Sequence, residues 1–372
     1  MDILICFILG GFLVVHIATS IIVARRLQRP DERLPWGSVD EPVAIIVPIA
    51  GLPESDAAIA LTALQLAGPR TEVVYCAFEE VEPIVAPIRA ALAAKPGVNA
   101  SVMIGRARVS RNPKLDNIEK GYAAARADLV MFVDGNVEID SNLARRAIAL
   151  FHSPTGLVSA VPVGTKPGGF AALVECAFLN TLYARWQLFS DELGLGFANG
   201  KLLVLRKSLV DRAGGFAALT RDTSEDCSAT KMTWSLGLKV QLLASPVAQP
   251  VGRRKLGGVW RRFLRWAQLR RESFPTLYSV ECLQTPAIPA ALAAYAAAGS
   301  AISPATAVLA LLSFWYGVEL ALAKAAGWPS SPLLIPACFV RDIMALAIWP
   351  TALLKRGYSW RGQTISGINQ TR

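Results

Sequence analysis

The chain has 372 residues, of which 53% are hydrophobic and only 18% are charged, and its mean hydropathy is +0.40. These values exclude an ordinary soluble enzyme of this length and indicate a membrane protein. The net charge of +10 lies largely between Arg253 and Arg271 and just after the first apolar segment, which favours anionic lipid headgroups over nucleic acid as the partner. Six scattered cysteines predict neither a zinc site nor a disulfide framework.

The first predicted element is an apolar run from Ile3 to Ala24, which is long enough to span a bilayer, so we predict a transmembrane helix over residues 1–25. Basic residues follow this run and none precedes it, which is the reverse of a signal peptide. By the positive-inside rule the amino terminus lies outside and the next domain faces the cytoplasm. We therefore expect an integral protein of a bacterial inner membrane, with a linker over residues 26–41.

The segment from residue 42 to residue 250 alternates short apolar strands with helical patterns. The predicted strands are 43–48, 72–78, 100–104, 129–133, 156–162, 202–205 and 240–243. This alternation predicts an α/β domain in which a parallel sheet carries helices on both faces. The architecture is of a nucleotide-binding type, although neither a GxGxxG nor a P-loop pattern accompanies it.

Asp134 directly follows the buried strand 129–133 and is the first candidate site residue. In open α/β sheets ligands bind at the carboxyl ends of the strands. A carboxylate there would hold Mg²⁺ or Mn²⁺ against the diphosphate of a sugar nucleotide, with Glu79 and water supplying further oxygens. The alternative interpretation is structural, since Asp134-Gly135 is also an ordinary turn after a strand.

Asp226 is the second candidate, at the start of a helix that runs to Trp234. A carboxylate at this position suits two roles equally well on local pattern. It would stabilise the helix amino terminus as a capping residue. It would also serve as the general base that an inverting transfer requires on the acceptor side.

An Arg-rich amphipathic helix with interleaved aromatic residues is predicted within residues 251–278. The helical spacing puts Arg262, Arg265 and Trp266 on one face, where two guanidinium groups and an indole would clamp a phosphate and stack on a sugar or base. The alternative is a face that contacts lipid. Residues 285–354 predict a membrane region of two or three helices, and 355–372 a cytoplasmic tail.

Several motifs in this order resemble the ceramide glucosyltransferase family, in a bacterial-type form. The motifs are Lys95-Pro96-Gly97-Val98-Asn99-Ala100, Asn112-Pro113-Lys114, Asp134, Ala213-Gly214-Gly215-Phe216, Glu225-Asp226, Arg262-Phe263-Leu264-Arg265-Trp266 and, in the tail, Trp360-Arg361-Gly362. The resemblance implies an inverting, membrane-bound glycosyltransferase of the GT-A fold, which is Rossmann-like and binds a nucleotide sugar. Its signature is D, D, D, (Q/R)xxRW.

The resemblance also implies roles for individual residues. Asp134 would be the metal- and donor-associated aspartate, and Asp226 would be the base that deprotonates the lipid hydroxyl. Asn112, Lys114 and Asn117 would lie near the donor, and the donor-phosphate and acceptor-site cluster would consist of Arg262, Arg265 and Trp266. Glu79 stands where the family has its first aspartate, and Asp134-Gly135-Asn136 lacks a second aspartate.

The expected activity is hexose transfer from a UDP-sugar, with UDP-glucose as the first choice, to the hydroxyl of a membrane lipid in glycolipid biosynthesis. Ceramide is the first choice of acceptor, followed by diacylglycerol or a hopanoid. Two alternatives remain at this point. The (Q/R)xxRW motif also occurs in processive polysaccharide synthases, and the missing carboxylates are compatible with a catalytically weak lipid-binding protein.

Overall fold

A computed structural model describes residues 2–29, 41–106, 108–355, 357–360 and 363–365. Most of the predicted linker, all of Arg361-Gly362 and the end of the tail lie outside the described residues. The chain forms two compact units. One unit combines Met1–Arg29, Val163–Phe189 and Val251–Arg372, and the other combines Pro30–Pro162 and Ser190–Pro250. We call them the helical unit and the sheet unit.

The sheet unit is built on seven hydrogen-bonded strands in the order β3-β2-β1-β4-β7-β5-β8. Their bounds are β1 Val43–Pro48, β2 Thr71–Ala77, β3 Ala100–Ile104, β4 Leu129–Val133, β5 Thr155–Ser159, β7 Leu202–Arg206 and β8 Lys239–Leu242. Two further strands, β6 (Pro162–Pro167) and β9 (Val247–Gly252), lie where the chain passes from one unit to the other.

The sheet is mixed, which corrects the expectation of a purely parallel one. β1, β2, β3 and β4 are parallel neighbours, whereas β7 is antiparallel to both β4 and β5. Because β7 runs backwards, its first residue pairs with the last residue of β4, as Leu202 does with Val133. The loop that enters β7 therefore lies at the same edge as the loop that leaves β4.

Helices cover both faces of this sheet, as the continuous apolar strands predict. In β1 the side chains of Ile45 and Ile46 enter separate cores on opposite faces. The helices of the sheet unit are α2 Ala57–Ala60, α3 Val85–Ala93, α4 Pro113–Ala124, α5 Ser141–Ala149, α8 Lys207–Arg212 and α9 Glu225–Ser235, with 3-10 turns at Glu54–Asp56, Ala63–Leu66 and Gly215–Thr220.

The helical unit contains the long apolar helices. Its elements are α1 Asp2–Leu27, α6 Phe170–Ala177, a π-helical segment Phe178–Ala184, α10 Leu256–Ser273, α11 Pro275–Ser279, a 3-10 turn Glu281–Gln284, α12 Ala287–Ala297, α13 Pro304–Ala325, α14 Leu334–Leu354, and strands β10 Tyr358–Trp360 and β11 Gln363–Ile365. Helix α7, Arg185–Glu192, continues the π-helical segment and ends in the sheet unit. Among the described residues three helices, α1, α13 and α14, are long and apolar enough to cross a membrane.

Candidate active site

The candidate site lies at the sheet edge where β4 ends and β7 begins. The Asp134 amide donates to the Lys201 carbonyl at 3.0 Å, so the first residue after β4 is joined to the last residue before β7. The Asn199-Gly200 turn before β7 is held by Ser159 at the end of β5, whose hydroxyl accepts a hydrogen bond from the Asn199 amide at 2.9 Å. Three strands thus hold the residues between Asn199 and Lys201 against Asp134.

Asp134 is held between two ammonium groups. Its Oδ1 lies 2.6 Å from Lys114 Nζ, and its Oδ2 lies 2.8 Å from Lys201 Nζ. Burial raises the pKa of the Asp134 carboxyl, but the charges of Lys114 and Lys201 outweigh burial and hold that pKa well below its usual range. Asp134 is therefore an anion at any physiological pH.

Lys114 links Asp134 to the start of α9. Its Nζ lies 2.6 Å from Glu225 Oε1 and donates to the Gly200 carbonyl, also at 2.6 Å. Burial lowers the pKa of Lys114, and the charges of Asp134 and Glu225 raise it by more, so the ammonium form is secured. Burial raises the pKa of the Glu225 carboxyl. The charge of Lys114 lowers this pKa and the charge of Asp226 raises it, so the pKa stays above its usual value.

Asn112 serves both local structure and the site. As the N-cap of α4, its Oδ1 accepts from the Lys114 amide at 2.8 Å, while Pro113 occupies the first helical position. Its Nδ2 donates to Glu225 Oε2 at 2.8 Å. The Asn112-Pro113-Lys114 motif therefore places two side chains on one buried carboxylate.

Asp226 differs from Glu225 in being only half-buried. Its Oδ2 accepts from the Gly200 amide at 2.9 Å, and its Oδ1 accepts from the Cys227 amide at 2.9 Å and from the Ser224 hydroxyl. These three donors fix the carboxylate and use three of its roughly four acceptor positions. Its fourth acceptor position receives no hydrogen bond from the part of the chain that the structure describes.

Two other residues predicted to bind the sugar donor lie near the end of β2, Asn117 on α4 and Glu79 in the loop after β2. Asn117 is 1% exposed, donates to the Cys76 carbonyl at 2.7 Å and accepts from Lys120 Nζ at 2.7 Å, so it joins α4 to that strand. The Glu79 side chain is exposed. In the same loop Glu82 accepts from the amides of Phe78 (2.6 Å), Glu79 (3.0 Å) and Gly51, which ties together the loops after β1 and β2.

The predicted Arg and Trp cluster lies on α10 in the helical unit. Arg262 Nη1 is paired with Glu175 of α6, a carboxylate that is 1% exposed and also accepts from Arg254 at 3.0 Å. Trp266 packs edge-on against Phe263, with 5.4 Å between ring centroids. Phe263 is fully buried, so it does not belong to a face of α10 that could contact lipid.

The oxygens of Asp134 and Asn136 that surround the Lys201 ammonium are the candidate ligands for a divalent metal. No group of three or more His, Cys, Asp or Glu side chains suited to a metal occurs within the described ranges. However, Asp134 Oδ2 and Asn136 Oδ1 lie 2.8 and 2.9 Å from the same Lys201 ammonium. Two hard oxygen ligands thus converge on one cation position, which fits Mg²⁺ or Mn²⁺ with the remaining ligands supplied from outside the protein.

Sequence reasoning assigned no role to Glu225, Gly200 or Lys201. Glu225 stands out in the sequence only as one of two adjacent acidic residues. Gly200 and Lys201 follow a recognisable Asn-Gly turn, but their proximity to Asp134 depends on the reversed direction of β7. A pattern of apolar residues carries no signal for that direction.

The chain is similar to known glycosyltransferases in sequence and in fold. The sequence model of Glycosyl transferase family 21 matches residues 5–370. Ceramide glucosyltransferase 1 of Caenorhabditis elegans is 26% identical over 284 residues, 75% of this chain and 60% of the relative. Ceramide glucosyltransferase 3 of the same organism is 23% identical over 215 residues, 57% of this chain and 47% of the relative. The chain thus spans less than two thirds of these relatives.

A solved structure shows the same fold. A mannosyltransferase from Pyrobaculum calidifontis, in complex with GDP-Man and Mn²⁺, superposes with a TM-score of 0.57 and 17% identity, covering 91% of this chain and 99% of that one. The predicted fold class, a GT-A α/β domain with apolar amino- and carboxyl-terminal helices, is confirmed, as is the resemblance to ceramide glucosyltransferases. The chain belongs to glycosyl transferase family 21.

Proposed function

We propose that this protein is a hexosyltransferase that moves glucose from UDP-glucose to the hydroxyl of a membrane lipid, with ceramide as the first acceptor to test and diacylglycerol or a hopanoid next. The observation that carries the proposal is the chain of contacts from Asp134 through Lys114 to Glu225. It brings motifs that are far apart in sequence to one sheet edge, with Asp226 beside them. Membership of the family supports the same reaction class.

In this proposal Asp226 is the general base. The lipid oxygen attacks the anomeric carbon, its proton passes to the open position on the Asp226 carboxylate, and the bond from the anomeric carbon to the diphosphate oxygen breaks with its electron pair leaving on UDP. Attack opposite the leaving group inverts the anomeric centre. Hydrogen bonds from Gly200, Ser224 and Cys227 keep the carboxylate in one orientation for this transfer.

The leaving diphosphate needs positive charge nearby. A bound Mg²⁺ or Mn²⁺ would supply Lewis-acid stabilisation of that charge, and Asp134 with Asn136 would hold it. Lys114 adds a fixed cation that Asn112 and Glu225 keep in place. The residues assigned to the donor phosphate and the acceptor are Arg262, Arg265 and Trp266. Glu79 is assigned to the donor, and so is Asn117, which donates a hydrogen bond to β2.

The proposed setting is a bacterial inner membrane with the catalytic domain in the cytoplasm. Three apolar helices of spanning length and the basic residues after α1 support this orientation. The proposed organisation keeps a transmembrane helix at 1–25, a linker at 26–41, a glycosyltransferase domain at 42–250, a basic interfacial helix at 251–278, a membrane region at 285–354 and a cytoplasmic tail.

The experiment is mass spectrometry of total lipids from a host that makes no glycolipids, with ceramide supplied. The host expresses the wild-type chain, Asp226→Asn, or the control Asp211→Asn, which changes an exposed carboxylate in the same unit. We expect a new hexosylated lipid with the wild type and the control. Asp226→Asn should lower the initial rate of its formation by about 10²–10⁴-fold, which is the usual contribution of a general base to the rate.

Two results would contradict the proposal. Full activity of the folded Asp226→Asn protein would remove Asp226 from the base role. No new lipid with any supplied acceptor, together with failure of the purified protein to bind UDP, would favour a lipid-binding protein without transferase activity. The headgroup mass would separate glucose or galactose from glucuronate and N-acetylglucosamine.

A further inference from the structure

Lys201 lies where a cation is expected at this site. Its side chain is 10% exposed, and its Nζ is within hydrogen-bond distance of Asp134 Oδ2 and Asn136 Oδ1. These are the two oxygens that the Asp134-Gly135-Asn136 motif offers to a metal. The ammonium group therefore uses the same ligands that a divalent ion would use.

An ammonium group and a divalent ion do not share these ligands. Mg²⁺ and Mn²⁺ need lone pairs that point at the metal from short range, whereas here each oxygen accepts a hydrogen bond from Lys201. The two cations would also repel one another across a partly buried space. Asp134 already balances part of its charge with Lys114, so little negative charge is left to attract a free metal ion.

The donor changes this balance, because its diphosphate brings negative charge and additional oxygen ligands. With the diphosphate present, the Lys201 ammonium has a new anionic partner, and the oxygens of Asp134 and Asn136 become available. Metal and donor would then enter together.

We propose that Lys201 competes with the divalent cation for Asp134 and Asn136, so that this enzyme takes up its metal only with a nucleoside diphosphate. This inference rests on the proposed function, since it presumes a diphosphate donor. Lys201, and not only the motif oxygens, then controls metal uptake.

The test measures Mn²⁺ binding to the purified full-length chain in detergent micelles, from the electron paramagnetic resonance signal of free Mn²⁺, with and without UDP. Lys201→Met removes the ammonium at similar length, and Lys201→Gln keeps an N–H donor and serves if the methionine variant fails to fold. The control is Lys239→Met, which removes an exposed charge from the same unit.

We expect wild type and control to bind Mn²⁺ weakly alone and at least tenfold more tightly with UDP. Lys201→Met or Lys201→Gln should bind Mn²⁺ at least tenfold more tightly than wild type without UDP and gain less from UDP. Unchanged or weaker Mn²⁺ affinity in both Lys201 variants, with UDP still bound, would overturn the role of Lys201 alone. If no variant binds UDP at any Mn²⁺ concentration, the proposed donor fails as well.

Discussion

At the scale of single residues, Gly200 controls the distance between the β7 turn and the two carboxylates of α9. A Cβ atom at this position would lie 2.6 Å from Glu225 Oε1 and 3.5 Å from Asp226 Oδ2. The first distance is too short for a non-bonded contact, and Glu225 cannot retreat freely because Lys114 and Asn112 hold it. Any side chain at residue 200 must therefore disturb the carboxylates.

We expect Gly200→Ala to lower kcat/KM for glycosyl transfer at least tenfold, roughly 1.4 kcal/mol in transition-state stabilisation, while the protein still folds. Lipid-transfer kinetics and a thermal unfolding curve measure the two effects separately. The matched control is Gly68→Ala, where a Cβ would meet nothing within 4 Å. Equal activity of the two variants would show that Glu225 and Asp226 tolerate displacement.

At the scale of elements, the positions of most strands in the sheet unit are predictable from the sequence, whereas the direction of β7 is not. The strands at 43–48 and 129–133 match the predicted ranges, because four or more consecutive apolar residues are distinctive of doubly buried strands. The strand at 100–104 also matches its predicted range, although it lies at the edge of the sheet and its residues are exposed or half-buried. β7 has the same kind of pattern, yet it runs antiparallel. Strand direction is set by connections and packing, which a local apolar pattern does not encode.

The sequence from Phe170 to Leu188 predicts one long amphipathic helix, and this prediction shows a similar limit. Helical periodicity identified its existence, but the structure divides it into α6, a π-helical segment at Phe178–Ala184 and α7. The same stretch belongs mainly to the helical unit, with residues that are distant in sequence. Its partners, and hence the position of Glu175 against α10, follow from tertiary packing alone.

Glu175 gives a prediction at the scale of two packed helices. It is almost fully buried on α6 and forms ion pairs with both Arg254 and Arg262. We expect Glu175→Gln to leave Arg262 without its anionic partner, to raise the KM for the UDP-sugar roughly tenfold, and to cost about 1–3 kcal/mol of stability, since both arginines stay partly solvated. Donor kinetics and thermal unfolding in detergent are the measurements.

Glu281→Gln is the control for this prediction, because it breaks another Arg–Glu pair of α10, between Arg270 and Glu281 at 2.6 Å. It should lower stability without changing the donor KM. A donor KM that moves equally in both variants would mean that Glu175 acts through general stability and not by positioning Arg262.

At the scale of the whole molecule, the scarcity of charge makes the buried ionic groups of the helical unit informative. Arg341 on α14 is fully buried and pairs with Glu319 of α13 at 2.7 Å and with Asp342 at 2.8 Å, and it donates to Thr181 of the π-helical segment at 2.6 Å. Nearby, Arg185 contacts His16 of α1 at 2.7 Å. These contacts join the three sequence segments of the unit.

Such a network specifies which helices meet, because each charged group in an apolar interior must find its partner. Apolar helix faces alone would allow several arrangements of α1, α13 and α14, since their surfaces are similar. The ion pairs make the observed arrangement the one in which the buried charges of Arg341, Glu319 and Asp342 are compensated. Removing one charged member of the network should then lower the stability of the helical unit by more than replacing all of its charged members.

We therefore expect Arg341→Met to cost about 3–5 kcal/mol, because it removes the cation that forms buried ion pairs with both Glu319 and Asp342. The triple variant Arg341→Met, Glu319→Gln, Asp342→Asn should recover most of that loss. Fluorescence-detected size-exclusion chromatography after heating in detergent measures the folded fraction, with Lys324→Met as the control because Lys324 is exposed near the end of α13. If the triple variant is no more stable than Arg341→Met, then Arg341 stabilises the helical unit through its hydrogen bonds and not by compensating the charges of Glu319 and Asp342.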